Sequence, residues 1–249
     1  MFTVLLTLVL AVGRIASPVE QYPVDGVDIA SWQHPWGAAI DWPRVREAGV
    51  DFATVKATEG SPVDGTAYVN PWFRPDFDGA RAAGLPVAPY HFYLGRTAGT
   101  GTAQAAFFVS ELRDAGYSGH GPLELPPILD LEWDWKARSC PAYATVDDAL
   151  DWLRAVGEAF GRPPIVYTNR YFVTDCLAGA TALGGYPLQV AQYRNSEPTE
   201  LPDGWSDWLL WQWTARDEVP GIPADRVTRS VFKGSQAELD ALANLVPGG

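Results

Sequence analysis

The 249-residue sequence predicts an α/β fold, a modified TIM-like (β/α) barrel with eight strands and a reduced helix set. Three observations predict it. Eight strand-like apolar runs recur at fairly even spacing. Helical patterns fill the gaps between the first five runs and thin out afterwards. Unusual polar residues gather at the C-terminal ends of the runs, where barrel enzymes place their chemistry.

The strand-like runs are GVDIA from 26, DFATVKA from 51, PVAPYHFY from 86, PPILDLEW from 126, PIVYT from 164, PLQVAQY from 187, DWLLWQW from 207 and a short SVF from 230. Between them, helical patterns occur in PRVREAG near 43, PWFRPDFDGARAAG near 71, GTAQAAFFVSELRDAG near 101 and TVDDALDWLRAVGEAFG near 145. They end on Gly49, Gly84, Gly116 and Gly161, the residue type that closes helices in the left-handed conformation. Thr145 with Asp148 three residues on forms a capping pattern. After the fifth strand the gaps are too short or too rich in Pro and Gly for good helices, until SQAELDALANL supplies a last one. Alternation of strand and helix predicts parallel pairing throughout. The polar residues at the strand ends are Asp28, Lys56 with Glu59, His91, Asp130 with Glu132, Tyr167 with Asn169, Gln192 and Gln212.

Composition narrows the function. With 47% apolar residues the chain buries one large core, so a single barrel domain is expected over 22–249. A net charge of -12 excludes nucleic acid and anionic membrane surfaces as partners on electrostatic grounds. The opening MFTVLLTLVLAVG has the length of a signal-peptide core and is too short for a membrane span, so residues 1–21 are expected to be a signal peptide and short leader. It lacks a basic start, and Ala11-Val12-Gly13 is its best cleavage pattern; a buried first strand or helix is the competing reading. Secretion or cell-wall association, with no stable membrane insertion once the signal is removed, follows from the first reading. The two cysteines fit export: Cys140 and Cys176 each follow one of two consecutive strands, so both loops leave the same rim, and a disulfide is expected. Two Cys without a nearby His cannot make a zinc site, and no metal or cofactor is expected. A monomer is expected.

The segment Pro126–Trp133 carries the chemistry. Strand side chains alternate, so Asp130 and Glu132 share a face while Leu129 and Leu131 take the other. Two like charges in a partly dry site raise one pKa, so that one acid can give a proton while its neighbour stays ionised. That pattern points to glycoside hydrolysis. The plainer alternative is one carboxylate pairing with an Arg or capping a turn.

Six windows in order, GVDIASWQ at 26–33, VKATEG at 55–60, APYHFY at 88–93, PPILDLE at 126–132, VYTN at 166–169 and QVAQY at 189–193, resemble the lysozymes of glycoside hydrolase family twenty-five. The resemblance covers roughly residues 25 to 234 and implies a modified eight-stranded barrel. It further implies an N-acetylmuramidase acting on peptidoglycan glycan strands at the β-1,4 bond between N-acetylmuramic acid and N-acetylglucosamine. Glu132 would be the general acid and Asp28 a further acid on the groove floor; Asp130 would be the second carboxylate, with attack on the anomeric carbon coming either from a carboxylate or, as preferred here, from the substrate's N-acetyl group assisted by Asp130. Lys56, Glu59, Tyr90, Tyr167 and Gln192 would bind substrate. One departure stands out: the family's Asp before the last strand is replaced by Thr228, with Asp225 three residues earlier as a candidate substitute.

His91 reads as a structural histidine, because the acid pair already supplies proton transfer. Trp32, Trp133, Trp211 and Trp213 flank strand ends and suit either sugar stacking or core. Two other functions compete: a wall-binding protein on this scaffold with little catalysis, suggested by Thr228, and a chitinase-like hydrolase. The second is disfavoured because Leu125 and Ile128 stand where that family extends its acids backward along the strand.

Overall fold

The computed structural model describes residues 17–134 and 138–244. Eight strands close into a barrel: β1 (Asp25–Ile29), β2 (Phe52–Glu59), β4 (Val87–Phe92), β5 (Ile128–Asp130), β6 (Ile165–Thr168), β7 (Leu188–Ala191), β8 (Leu210–Asp217) and β9 (Val227–Phe232). A two-residue β3 (Tyr68–Val69) folds back on the end of β2. Pairing is parallel from β1 through β8, and β1 bonds to both β2 and β9 to close the ring.

The last strand departs from the all-parallel expectation, since β9 runs antiparallel to both β8 and β1. Its connection explains this. Residues 218–226 contain Pro220, Gly221 and Pro223, too few and too broken for a helical crossover, so the chain can only turn back. The return strand is also longer than SVF, starting at Val227.

Helices α2 (Trp42–Glu47), α3 (Phe73–Ala82), α4 (Gly101–Asp114) and α5 (Val146–Phe160) occupy the expected gaps. Asp41, Thr100 and Thr145 cap α2, α4 and α5 with side-chain oxygens on backbone N–H groups. A seven-residue α6 (Arg170–Cys176) follows the fifth barrel strand, where no helix was expected; Asn169 is its N-cap, accepting from the Phe172 N–H at 3.0 Å. The final α7 (Gln236–Leu242) starts from a Ser235–Glu238 capping box. A four-residue α1 (Pro18–Gln21) precedes the barrel, and Val19 and Tyr22 pack beside Trp208 and Trp211. Of the expected leader, residues 1–16 lie outside the described residues.

Period-two alternation sorts the barrel interior into layers. Phe52, Ala88, Ile128, Ile165, Leu210 and Phe232 form an apolar floor, on which Leu239 and Ala243 from the last helix region pack. Gly26 is required there, because a Cβ would meet the Phe52 ring at 2.4 Å. Two residues further along these strands come Thr54, Tyr90, Asp130, Tyr167 and Gln212, which line a pocket above the floor. A larger core, including Trp152, Phe108, Phe77 and Val156, fills the space between helices and barrel wall.

Candidate active site

The pocket at the C-terminal mouth of the barrel is lined by Asp28, Thr54, Tyr90, Asp130, Glu132, Tyr167, Gln189, Tyr193, Gln212 and Thr228, with Trp32 and Gln33 at one side. Asp130 is the last residue of β5, a strand of only three residues. The ladder continues one step, with the Leu131 N–H donating to the Tyr167 carbonyl at 2.9 Å, and Glu132 follows beyond it. Strand alternation therefore brings both acids to one pocket although the strand is shorter than its sequence pattern.

Their surroundings keep a proton in the pair. Burial pushes the Asp130 carboxyl well above its usual range, and the neighbouring Glu132 charge adds to this, while Lys56 opposes it. Burial pushes Glu132 up to about 7, again against the pull of Lys56. Asp130 Oδ1 is buried and has no hydrogen-bond partner among the described residues.

Asp28 is held quite differently. Its Oδ1 accepts from Thr54 Oγ1 and from Gln189 Nε2 at 3.2 Å; its Oδ2 accepts from Gln212 Nε2 at 3.0 Å and Ser230 Oγ at 2.9 Å. Burial raises its pKa and these four donors lower it, leaving a net rise. The Gln212 amide is itself fixed: Tyr167 and Tyr193 both donate their hydroxyl protons to its Oε1 at 2.9 Å, which turns its NH₂ toward Asp28. Thr228 stands opposite Asp28 in the β1–β9 register and lines the pocket, whereas Asp225 is exposed and does not.

Lys56 and Glu59 pair at 2.7 Å with both side chains largely buried, so this is no surface ion pair. They line a neighbouring cavity with Ser31, Thr66 and Tyr68, and Ala30 and Trp32 border both spaces. The Lys56 ammonium lies 4.6 Å from the centre of the Phe92 ring. Tyr90 lines the acid pocket, and burial with the surrounding acids pushes its pKa well up, so it stays neutral.

Gln192 is not among the pocket residues. Its backbone N–H donates to the Gln212 carbonyl at 3.0 Å, and its own carbonyl accepts from Trp211 Nε1 at 2.8 Å. Gln189 and Tyr193 from the same segment line the pocket instead. Period two gives the signal that finds them, since 189, 191 and 193 share a face and 192 does not. His91 is fully buried between Thr58 Oγ1 at 2.7 Å and Gln104 Oε1 at 3.1 Å, and burial lowers its pKa to about 3. It is a neutral structural residue. Trp32 is exposed at the pocket mouth, Trp211 is core, Trp133 packs edge-on to Phe172, and Trp213 packs beside the Trp208–Trp211 cluster. Cys140 and Cys176 form the expected disulfide with Cα atoms 5.4 Å apart.

A barrel-mouth pocket with a buried acid pair is a glycosidase arrangement, and comparison with known proteins decides the family. The model for glycosyl hydrolases family 25 matches residues 27–222. The chain belongs to glycosyl hydrolase family 25. It is a glycosidase of the lysozyme type. It is 32% identical to lysozyme M1 of Streptomyces globisporus over 93% of this chain and 75% of that protein. It is 32% identical to the N,O-diacetylmuramidase of a Chalaropsis species over 76% of this chain and 87% of that one. Among solved structures, the Streptomyces coelicolor lysozyme superposes with a TM-score of 0.78 at 32% identity, covering 89% of this chain and 97% of the other. The family 25 lysozyme of Aspergillus fumigatus gives a TM-score of 0.75 at 27% identity, covering 88% and 98%. Within this family 25 chain, no described helix is long and apolar enough to cross a membrane.

Proposed function

We propose that the protein is a secreted, endo-acting N-acetylmuramidase that hydrolyses the β-1,4 bond between N-acetylmuramic acid and N-acetylglucosamine in peptidoglycan. The observation that carries this reading is the convergence of Asp130 and Glu132, both buried and both raised in pKa, on one pocket. The names of the lysozyme and muramidase relatives support the substrate.

In this reading Glu132 donates its proton to the glycosidic oxygen as the bond to the anomeric carbon breaks. The carbonyl oxygen of the substrate's N-acetyl group attacks that carbon, forming a cyclic oxazolinium ion. Asp130, whose Oδ1 has no hydrogen-bond partner among the described residues, accepts a hydrogen bond from the N-acetyl N–H and stabilises the developing positive charge. Water then opens the ring, giving its proton to Glu132. Asp28, saturated by four neutral donors, fixes the floor of the groove and the Gln212–Tyr167–Tyr193 set rather than transferring a proton. Residues up to 21 serve as leader, and the disulfide suits the oxidising compartment that export provides.

Mass spectrometry of fragments released from purified peptidoglycan tests the reading. Soluble muropeptides with reducing N-acetylmuramic acid ends are expected; reducing N-acetylglucosamine ends or anhydro products would sink it. Thr228 favours a second reading, a wall-binding protein with weak catalysis, and release of no fragments alongside retained wall binding would favour that one.

A further inference from the structure

A second cleft adjoins the acid pocket and contrasts with it in charge. It is lined by Tyr193, Thr214, Ala215, Arg216 and Arg226, and encloses roughly 470 Å³. Tyr193 lines both spaces, so the cleft and the groove meet at that side chain. On the other side the Arg226 carbonyl accepts from Gln33 Nε2 at 3.3 Å, and Gln33 is itself a wall of the acid pocket. The cleft is therefore tied to the groove at both ends.

Both guanidinium groups are uncommitted. Neither Arg216 nor Arg226 has a carboxylate within 4.0 Å among the described residues. The adjacent Asp217 is engaged by Arg229 at 2.8 Å, and Glu218 and Asp225 do not line the cleft. In a chain of net charge -12, two arginines without a carboxylate partner lining one cleft set positive charge beside an acidic groove. Structural arginines in this protein behave otherwise: Arg162 spends its donors on the carbonyls of Gly119, Glu124 and Leu242, and Arg229 bridges Asp25 and Asp217.

We infer that Arg216 and Arg226 form an oxyanion subsite that holds a negatively charged group carried by the wall polymer beside the scissile sugar. This rests on the muramidase reading for the identity of the polymer. A muramyl residue carries on the sugar itself a lactyl ether that is amide-linked to a peptide stem, and the stem bears free carboxylates. Guanidinium forks match carboxylate and phosphate alike. The peptide stem would supply a carboxylate; a wall-linked phosphate polymer would supply the other.

The test compares the parent with the Arg216→Ala/Arg226→Ala variant on three substrates: intact walls, walls freed of phosphate polymers, and walls whose peptide carboxylates are chemically amidated. Two exposed charge pairs predict a KM about fivefold higher on intact walls with kcat unchanged. The difference should narrow at roughly half-molar salt. Survival of the difference without phosphate polymers and its loss on amidated walls assigns the carboxylate; the reverse pattern assigns the phosphate. Equal effects on all three substrates, or none, overturn the inference. Calorimetric titration of a soluble muramyl peptide and its fully amidated form into Glu132→Gln protein, with and without the arginine changes, reads binding independently of turnover. Indistinguishable affinities there exclude the carboxylate and, unless the wall assay assigns the phosphate, overturn the subsite whatever the enzyme cleaves, whereas an inactive parent that still discriminates the two peptides sinks the muramidase reading alone.

Discussion

Replacing Glu132 by Gln should destroy activity and stabilise the protein at once. The variant keeps shape and hydrogen-bonding capacity but cannot ionise or donate an acidic proton. Loss of a general acid removes a factor of about a hundred to ten thousand, roughly 3–5 kcal/mol of barrier. Glu132 has its pKa raised from 4.5 to about 7 by burial. The folded state therefore holds this proton more tightly than the unfolded chain does, so stability falls as pH rises from 4.5 to 7, and above 7 the loss is complete. At about 1.4 kcal/mol per unit, that loss comes to about 3 kcal/mol. Glu132→Gln removes it, so the variant's melting temperature at pH 8 should exceed the parent's by on the order of 10 °C, with little difference at pH 4. Turnover by the parent, read as reducing ends released from peptidoglycan, should fall about tenfold per unit above pH 7, and Lys56→Met should move that limb upward because Lys56 favours the ionised acid. A variant that is less stable than the parent at pH 8, or that keeps the alkaline limb at near-parental rate, would refute the assignment, since either result makes Glu132 a structural anion.

The disulfide closes a loop with a sequence separation of 36, so Cys140→Ala/Cys176→Ala should cost about 4 kcal/mol in denaturant unfolding under oxidising conditions; an unchanged midpoint would mean the bridge adds nothing. Gln212→Leu leaves Asp28 without one of its donors and two tyrosines without their acceptor, and should lower kcat by more than tenfold, checked against Gln192→Leu, which should leave kcat near that of the parent. Thr228→Asp places a carboxylate opposite Asp28 in the pocket, which should raise the pKa of the neighbouring acids and shift the alkaline limb upward. Parental pH and rate profiles in Thr228→Asp would place that position outside the reacting groove.

Legibility in the sequence tracked how local each cause was. The first seven barrel strands and helices α2 to α5 were readable because apolar periodicity and caps are written within each segment, as in Thr145–Asp148 at the start of α5. The antiparallel return of β9 was not, because direction depends on what a nine-residue, proline-broken connection can reach, a property of the closed barrel rather than of the strand. Asn169 was visible as a polar strand-end residue, but its commitment to the Phe172 N–H was not, so α6 went unseen. Asp130 and Glu132 were legible as a pair from alternation alone. Gln189 was not singled out, because motif position drew attention to Gln192 while the pleat turned its neighbour three residues back toward Asp28. The cleft of Arg216 and Arg226 joins residues on either side of the β8–β9 turn, and only closure of the barrel sets it beside Tyr193.

The distribution of hydrogen-bond donors, more than the number of acids, separates the roles within this groove. Asp28 on β1 and Asp130 on β5 line the same pocket from strands three steps apart around the barrel, and burial alone would raise both. Around Asp28 the interior positions of β2, β7, β8 and β9 are Thr54, Gln189, Gln212 and Ser230, each supplying a donor, so its charge is solvated by the protein and its position is fixed. Around Asp130 the adjacent strands offer Phe92 and Tyr167, and the Tyr167 hydroxyl is already spent on Gln212. Asp130 is left with a buried oxygen that has no hydrogen-bond partner among the described residues and with the Glu132 charge nearby, a costly arrangement in a folded protein without substrate. An N–H donor arriving on the substrate would relieve that cost where charge develops, so the energy stored in the unpartnered acid becomes binding specific to a sugar that carries an N-acetyl group. The same logic explains why Tyr167 and Tyr193 both point at Gln212: by occupying its carbonyl they keep its NH₂ on Asp28 and away from Asp130. A donor given to Asp130 from within the protein would quiet the strain and remove the advantage.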